Sequence, residues 1–334
     1  MVAVAVQAGR TAPELLTWSR SVVDPPMRAA VATLPESTGR LVEYHFGWRD
    51  AAGRPADEYP GKAVRPLLAL LAAEAAGAPA ASAVPAAVAV ELVHNFSLIH
   101  DDIMDGDHTR RHRPTLWTVH GVGPAILAGD AMLALAYQVI APAGLPLLSS
   151  TVQHLLDGQV ADVAFEQRAD VTVAECTTMA EGKTGALLAA AASLGALGAP
   201  APTRDRLARF GALTGLAFQF ADDLLGIWGD PDVTGKPVRS DLHRGKKSLP
   251  VVAALTGGTP AGARLASFYA TTLSDPDAVL AAELVEASGS RAWCQARADE
   301  LFAEAVQVLT EIDMASRTHQ ELLALARLLT RRDR

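Results

Sequence analysis

Long apolar segments dominate the chain and predict α-helices. The run from Ala86 to Met104 is almost wholly apolar, and its length exceeds the roughly four to eight residues of a typical strand. Val, Ile and Tyr hardly ever alternate with polar residues at period two, so the pattern predicts an all-α protein. A helix that is apolar on most sides is buried, and its polar members therefore need partners.

Clusters of glycine and proline separate these segments and suggest a domain plan. Residues 1–26 end at Pro25-Pro26, and because proline disfavours a continuing helix, we expect a loosely held N-terminal arm there. Residues 27–334 are expected to form a single all-helical domain.

Two uncharged stretches, residues 131–153 and 184–203, invite a membrane interpretation. Prolines and glycines interrupt the first and end the second, so we expect buried helices and no membrane span. The start of the chain has no basic lead followed by a long apolar run, so no signal peptide is predicted.

Composition narrows the function classes. Half of the 334 residues are hydrophobic, which is enough for a large core. The net charge of −8 argues against a general nucleic-acid binder, which would carry a basic face. The two cysteines, Cys176 and Cys294, are far apart and in no metal-type spacing, as expected of a reduced cytoplasmic protein.

Three carboxylates stand at the end of the longest apolar segment. On a helix, Asp101 and Asp105 lie one turn apart on the same face, with Asp102 beside them. Such close acids repel one another unless a cation lies between them, and a few hard oxygen ligands suit Mg²⁺. Arg110 and Arg111 follow, and guanidinium groups bind phosphate in a bidentate manner. Alone, the motif is more simply explained as a solvated helix end.

A second acidic pair and scattered lysines extend this pattern. Asp222 and Asp223 end another apolar helix, and a basic segment with Lys236 and Lys246 follows. Lys183 stands among glycines and other small residues, which leaves room for a ligand to approach. Together these segments predict two acidic helix ends that hold Mg²⁺ against a diphosphate, with lysines and arginines covering its remaining oxygens.

Three other kinds of binding site are excluded, because the residues that their motifs require are missing or wrongly spaced. Glu91 and His94 have the ExxH form of di-iron bundles, but no second ExxH is present. An EF-hand starting at Asp101 lacks its glycine and terminal glutamate, and the GKT sequence at 182–184 lacks the upstream glycine of a P-loop. A metal-assisted ionisation fits better, because Mg²⁺ neutralises the charge on a leaving diphosphate and apolar helices shelter a carbocation from water.

The ordered motifs GKxxRP, HNFSLIHDDIMDxxxxRR, GKTG, FQxxDD and GDPxVTGKPxxSDLxxGKKSLP resemble those of trans-isoprenyl diphosphate synthases, the polyprenyl synthetase family. The resemblance spans residues 41–256. It implies an isoprenoid-synthase-type bundle of ten or more helices around a central active-site cavity, a homodimer and three Mg²⁺ ions. The implied reaction is a Mg-dependent head-to-tail condensation of isopentenyl diphosphate with a C5 to C15 allylic diphosphate. It gives an all-trans prenyl diphosphate of C15 to C20, with C20 favoured, plus diphosphate.

The resemblance also implies residue roles. Catalytic roles fall to Asp101, Asp102, Lys183 and Asp222. Mg²⁺ is bound by Asp101, Asp102, Asp105, Asp222 and Asp223. The allylic diphosphate is held by Arg110, Lys183, Thr184, Gln219 and Lys236. Isopentenyl diphosphate is held by Lys62, Arg65, His94 and Arg111, and Lys246 helps to close the site.

One departure from the family pattern concerns the second acidic motif. Gly226 stands where the family usually has a third aspartate, so we expect one outer metal contact to be lost without inactivation. Asp230, one turn further on, is a candidate substitute.

Product length is expected to depend on the residues one turn before Asp101. Phe96 and Ser97 stand five and four residues before it, and an aromatic residue followed by a small one resembles C20-type enzymes. Two other functions share these features: a class I terpene cyclase on the same fold, and a non-catalytic regulatory subunit of a prenyl synthase. The retained residues for isopentenyl diphosphate argue against the first, and the intact first motif argues against the second.

Overall fold

The computed structural model describes residues 9–57, 61, 63–110, 112–230, 238–267, 269 and 273–330. Nearly all of their secondary structure is helical, which confirms the predicted all-α fold class. The helices are α1 (Ala12–Val31), α2 (Glu36–His45), α3 (Val64–Ala75), α4 (Val84–Met104), α5 (Leu116–His120), α6 (Val122–Val139), α7 (Leu145–Glu166), α8 (Val173–Ala180), α9 (Ala186–Gly195), α10 (Ala201–Trp228), α11 (Ser240–His243), α12 (Leu249–Thr256), α13 (Pro260–Ala266), α14 (Asp275–Ala287), α15 (Ser290–Thr310) and α16 (Ser316–Thr330).

Three short helical segments and one hairpin complete the described structure. Residues Ala80–Ala83 and Pro142–Gly144 form 3₁₀ turns, and Glu181–Gly185 forms a π-helical turn. Strands β1 (Thr109–Arg110) and β2 (Arg113–Pro114) pair in an antiparallel manner.

Contacts between Cα atoms divide the chain into two compact units that alternate along the sequence. The first contains residues 1–152, 187–208 and 309–325, and the second contains residues 153–186, 209–308 and 326–334. The single domain expected over residues 27–334 stays a prediction.

In the first unit, α4 is the helix around which the others pack. It contacts α1, α3 and α6, with the most extensive contact to α6. Small residues make this possible, since Ala87 and Ala89 on α4 are fully buried, as are Ala69 and Ala72 on α3. An alanine-rich interface lets helix axes approach closely, so α4 packs tightly against its neighbours.

The second unit has a core formed by residues of α8, α10, α12 and α15. Met179, Phe220 and Leu249 are buried there, together with Cys176 and Cys294. Burial raises the pKa of both thiols, as expected of inert core cysteines.

The prediction of a loosely held arm over residues 1–26 is wrong for residues 12–26, which form most of α1. Leu15, Val23 and Met27 lie on its buried face, and α1 contacts α3 and α4. Pro25 and Pro26 lie inside this helix. Their cost, about 3 kcal/mol for a proline in a helix interior, is offset by burial of the apolar stripe.

Just before α1, Arg10 is anchored by two acids of the same unit. Its Nη2 atom lies 2.7 Å from Glu321 Oε2 and 3.1 Å from Glu74 Oε2. The sequence around Arg10 does not indicate these partners, because both are distant in the chain.

Among the described residues, two helical segments are long and apolar enough to cross a membrane by length and composition alone. They are Ala80–Met104 and α6, and their most apolar windows are 67% and 33% buried, respectively. The uncharged stretches noted in the sequence are interrupted as expected, between α6 and α7 and between α9 and α10.

Candidate active site

The first acidic motif lies at the carboxyl end of α4, as predicted. Asp101 and Asp102 are in its last turn, and Asp105 is its C-cap residue. The Asp105 backbone N–H donates to the Asp101 carbonyl oxygen at 2.8 Å, so the two residues are one turn apart. Asp101 and Asp105 are half-buried, whereas Asp102 is buried.

Asp102 is bound by one of the predicted phosphate-binding arginines. Arg110 Nε donates to Asp102 Oδ1 at 2.7 Å, and Arg110 Nη2 lies 3.9 Å from Asp107 Oδ2. Burial raises the pKa of Asp102 to about 6, although Arg110 opposes the shift; the charges of Asp101 and Asp105 add to it. Asp102 therefore holds Arg110 in position beside the motif.

Asp107 is a buried acid of this region that sequence reasoning missed. Its backbone carbonyl accepts hydrogen bonds from Thr115 Oγ1 and Trp117 Nε1, both at 2.8 Å. These bonds fix the chain that leads from α4 into the hairpin bearing Arg110. The one sign of it in the sequence was its place two residues after the motif.

The residues expected to hold isopentenyl diphosphate are described only in part. Arg65 is buried in the first turn of α3, and His94 is half-buried on α4, which packs against α3. Lys62 and Arg111 lie outside the described residues, as does Lys236 of the allylic set.

Phe96, the predicted floor residue, is buried on α4 one turn before the acids. Its ring lies edge-on to the His100 ring, with 4.9 Å between centroids. His100 in turn fits against Gly129 of α6, where an added Cβ would lie 2.4 Å from His100 Nε2. Ser97 is half-buried, and its hydroxyl donates to the His94 carbonyl oxygen at 2.8 Å.

The second acidic motif lies near the end of α10, also as predicted. Gln219 Nε2 donates to Asp223 Oδ1 at 2.7 Å, and the Leu249 backbone N–H donates to Asp223 Oδ2 at 2.8 Å. Thr184 Oγ1 donates to Gln219 Oε1 at 2.6 Å. Three of the predicted residues, Thr184, Gln219 and Asp223, are thus linked in one hydrogen-bonded chain.

Asp223 is the buried member of its pair, and Asp222 beside it is half-buried. Burial raises the pKa of Asp223 to about 7; Lys246 opposes the shift and the charge of Asp241 adds to it. The two acidic motifs therefore share one construction, in which a buried acid is bound by partners and a half-buried acid stands next to it.

Lys183 has a partner that sequence reasoning missed. Its Nζ atom donates to Asp162 Oδ2 on α7 at 2.7 Å. Burial alone would raise the pKa of Asp162, but Lys246 and Lys183 outweigh it, and the pKa lies below its usual value. The sequence contained one hint of this pairing. Asp162 stands four residues after Gly158, so both lie on the same face of α7.

The space beside Lys183 serves helix packing. An added Cβ at Gly182 would lie 2.8 Å from the His154 carbonyl oxygen, and one at Gly158 would lie 2.6 Å from the Lys183 backbone nitrogen. The expectation that these small residues leave room for a ligand is therefore wrong at Gly182, because α7 occupies that room. The π-helical turn Glu181–Gly185 at this contact is a feature often found at functional sites.

The donor chemistry fits Mg²⁺. No group of three or more His, Cys, Asp or Glu side chains in the described part of the chain is close enough to form a metal cage. Mg²⁺ does not need one, since it binds through one or two carboxylates and takes waters and substrate phosphates as its other ligands. The half-buried Asp101 and Asp105 in the first unit, and Asp222 in the second, each provide such a carboxylate.

Comparisons with known proteins agree on one family. The sequence profile described as Polyprenyl synthetase matches residues 51–287. The chain is 46% identical to a (2E,6E)-farnesyl diphosphate synthase of Mycobacterium tuberculosis, over 97% of this chain and 94% of that protein. It is 43% identical to a geranylgeranyl diphosphate synthase of the same organism, over 96% and 93%. Its fold matches the crystal structure of a polyprenyl synthetase from Streptomyces coelicolor with a TM-score of 0.90 and 46% identity, covering 95% of this chain and 99% of that one.

Proposed function

The chain belongs to the polyprenyl synthetase family, and on that premise we propose which of its residues carry the reaction. The activity is that of a trans-prenyltransferase, which condenses isopentenyl diphosphate head-to-tail with an allylic diphosphate to give a C15 to C20 prenyl diphosphate and diphosphate. Relatives that are synthases over nearly their whole length favour this activity over a terpene cyclase or a regulatory subunit.

The assignment of metal ligands rests on an arrangement that the two acidic motifs share. Asp102 is bound by Arg110, and Asp223 is bound by Gln219 and the Leu249 backbone. A buried acid with such partners is suited to positioning, while the half-buried acid beside it is suited to metal. We therefore assign direct Mg²⁺ contacts to Asp101, Asp105 and Asp222, and assign Asp102 and Asp223, also expected as ligands, to orienting them.

When bound, Mg²⁺ supplies charge neutralisation on the leaving diphosphate. The cations of this chain complete that task. Arg110 and Lys183, held by Asp102 and Asp162, bind the allylic diphosphate together with Thr184, Gln219 and Lys236. Because acids fix both cations before substrate arrives, less ordering is needed when it binds.

The second substrate, isopentenyl diphosphate, is bound by Lys62, Arg65, His94 and Arg111, and Lys246 closes the site. In the condensation, the C–O bond of the allylic diphosphate breaks, the double bond of isopentenyl diphosphate attacks the cation, and one proton is lost. The apolar residues of α4 behind the acids shelter that cation from water.

The product tail runs along α4, where Phe96 blocks it and Ser97 leaves space. Relatives of similar identity include both a farnesyl and a geranylgeranyl diphosphate synthase, so overall likeness does not separate C15 from C20. We assign C20 on the single aromatic residue at this position.

The enzyme is proposed to be a cytoplasmic homodimer without a membrane span or nucleic-acid partner. Support for a partner surface comes from α6, on which Val122, Ile126 and Leu127 are 46%, 40% and 64% exposed. Val122 and Ile126 are four residues apart and share a helix face with Leu127 beside them, and exposed apolar patches of this kind mark protein interfaces. Two buried free thiols agree with a reducing compartment.

One incubation tests the function. The protein, Mg²⁺ and labelled isopentenyl diphosphate are combined with C5, C10 or C15 allylic diphosphate, and the products are separated by chain length. We expect a prenyl diphosphate of C15 to C20. A cyclic product would indicate a cyclase, and no incorporation would indicate a regulatory subunit. Asp101→Asn and Asp222→Asn should abolish turnover, whereas Asp313→Asn, at an exposed acid between α15 and α16, should not.

A further inference from the structure

The chain enters α3, the helix that carries Arg65, through a strained residue. Ala63 directly precedes this helix, and its φ and ψ angles of +47° and +44° lie in the left-handed helical region. Residues with a Cβ atom rarely adopt this conformation, because the side chain crowds a carbonyl oxygen. Such a residue persists only where its surroundings hold it in place, and strained residues cluster at functional sites.

The start of α3 also receives little support from its own cap. Ala63 is the N-cap residue, and its side chain cannot accept a hydrogen bond from the first N–H groups of the helix. Its carbonyl oxygen accepts from the Leu67 backbone N–H at 3.2 Å, which closes the first turn around Arg65. Because Ala63 provides no side-chain cap, contacts with other elements must keep this turn in place.

Arg20 of α1 provides such a contact. Its Nη2 atom donates to the Gly61 carbonyl oxygen, two residues before Ala63, at 2.9 Å. Arg20 is half-buried and its Nε atom is buried, so the guanidinium group is enclosed by protein. Asp24, one turn later on α1, balances part of this charge: burial raises the pKa of Asp24, and the charges of Arg28 and Arg20 oppose the shift.

The helix that carries Arg20 is itself fixed against α3. Arg10, just before α1, lies 3.1 Å from Glu74 near the end of α3, whereas Arg20 reaches Gly61 before its start. Two charged contacts therefore hold α1 beside α3, one at each end of the latter. All of these residues belong to the first unit.

Resting on the proposed function, we propose that Arg20 is a positioning residue for the binding of isopentenyl diphosphate. Its bond to Gly61 prevents the turn at Ala63 from relaxing out of the left-handed conformation. That conformation fixes the first turn of α3 and with it Arg65, which is assigned to this diphosphate. The allylic diphosphate is assigned to other segments of the chain, so its binding should not depend on Arg20.

Steady-state kinetics test the proposal. Arg20→Met keeps most of the apolar stem of the side chain but removes its donors. It should raise the KM for isopentenyl diphosphate about tenfold, the scale of one lost hydrogen bond from a charged donor. The kcat and the KM for the allylic diphosphate should stay the same, because only uniform binding of one substrate is affected. Arg40→Met makes the same change at an exposed arginine of α2 and should alter none of these constants.

A second substitution separates positioning from general support of the fold. Glycine adopts positive φ without the steric cost of a Cβ atom, so Ala63→Gly removes the strain that Arg20 opposes. In the Ala63→Gly background, Arg20→Met should therefore raise the KM for isopentenyl diphosphate much less than in the parent. A merely structural role of Arg20 would give the same loss in both backgrounds.

Hydrogen–deuterium exchange measures the turn without turnover. The Leu67 amide, which donates to Ala63, should exchange about tenfold faster in Arg20→Met than in the parent. Adding Ala63→Gly should slow it again. Thermal unfolding sets a temperature at which each variant is folded. If Arg20→Met is unstable, Arg20→Lys, which keeps the charge but loses the planar fork, is compared in the same way and should show a smaller rise in KM.

The outcomes distinguish this inference from the proposed function. An unchanged KM for isopentenyl diphosphate in Arg20→Met overturns the positioning role, and so does an equal rise in both KM values. An equal effect of Arg20→Met in the two backgrounds overturns it as well. A parent protein that forms no prenyl diphosphate contradicts the proposed function, whereas exchange at Leu67 still shows whether Arg20 holds the turn.

Discussion

Asp102 and Asp223 retain their protons to higher pH than ordinary carboxyl groups do, and this couples metal binding to pH. Burial raises the pKa of Asp102 to about 6 and that of Asp223 to about 7. A divalent cation next to these acids favours their ionised forms, so its binding releases protons wherever the free protein is protonated.

We therefore expect Mg²⁺ affinity to rise with pH from about 5.5 to 7.5 and then to level off. Below the pKa, one released proton corresponds to at most a tenfold change in affinity per pH unit. Calorimetric titrations in two buffers of different ionisation enthalpy measure the protons released. Asp223→Asn should remove the part of the proton release that occurs near pH 7. If this variant released as many protons as the parent, the assignment of that release to Asp223 would be contradicted.

The stability of the metal-free protein should change in the opposite direction. The pKa of Asp223 is higher in the folded chain than in the unfolded chain. At pH values between these two pKa values, the folded state therefore binds more protons. Its contribution is therefore greatest at low pH and is lost as pH rises through about 7. The melting temperature of the parent should fall more between pH 5.5 and 8 than that of Asp223→Asn.

Phe96 carries a second prediction at the scale of a residue. Phe96→Ala should lengthen the product by about one isoprene unit, because it removes the ring that blocks the tail. Ser97→Phe places a second ring there and should shorten it. Product chromatography measures both. Phe96→Ala also creates a cavity worth about 3 to 5 kcal/mol of stability, so the assay temperature must stay below its melting point. Unchanged lengths in both variants would refute the floor assignment.

The sequence predicted single site residues best where spacing along one helix carried the information. The last turn of α4 holds Asp101 and Asp102 as expected, and α10 carries Gln219 one turn before Asp223, to which it donates a hydrogen bond. Asp162 and Arg20 were missed because their partners are distant in the chain: Asp162 meets Lys183, and Arg20 meets Gly61. Spacing within one helix cannot show such pairs.

At the scale of elements, the contact between α7 and the π-helical turn positions Lys183. Gly158 and Gly182 allow the two backbones to touch, whereas an added Cβ at Gly185 would meet only the Ala212 carbonyl oxygen at 3.6 Å. Three glycines in one region therefore differ in what they permit, which no motif in the sequence distinguishes.

Gly158→Ala and Gly182→Ala should each cost about 1 to 3 kcal/mol of stability, because the new methyl group overlaps backbone atoms. By moving Lys183, they should also raise the KM for the allylic diphosphate more than that for isopentenyl diphosphate. Gly185→Ala is the matched control, and its stability should stay the same or rise, since alanine favours a helix over glycine. Thermal unfolding and steady-state kinetics provide the comparison, which fails if Gly185→Ala is as damaging as the others.

Helix boundaries show where the sequence pattern was informative and where it was overridden. Apolar runs predicted α4 and α10 correctly, because burial on most sides needs no distant information. Pro25-Pro26 suggested the end of an arm, but α1 continues through both prolines. The packing of the apolar face of α1 against α3 and α4 outweighs the low helix propensity of proline. That packing involves residues far along the chain.

At the scale of the molecule, α4 and α6 have similar hydropathy but different surroundings. The most apolar window of α4 and its preceding turn is 67% buried, whereas that of α6 is 33% buried. The sequence pattern predicted burial for α4 and for residues 131–153, which include the second half of α6, and that prediction is wrong for much of α6. We propose that a second copy of the chain covers the exposed face of α6, since a two-fold interface covers the same face on both subunits.

Leu127 tests this explanation, because it is more exposed than Val122 and Ile126 on the same helix. In a homodimer built on this face, Leu127→Lys would bury an unpaired ammonium group, which is too costly for the interface to tolerate. Light scattering after size-exclusion chromatography should give a dimer mass for the parent and a monomer mass for this variant. Val279→Lys, on α14, alters an apolar side chain that is 39% exposed and should leave the dimer intact. A monomeric parent, or equal dissociation by both substitutions, would show that the exposed face of α6 has a different role.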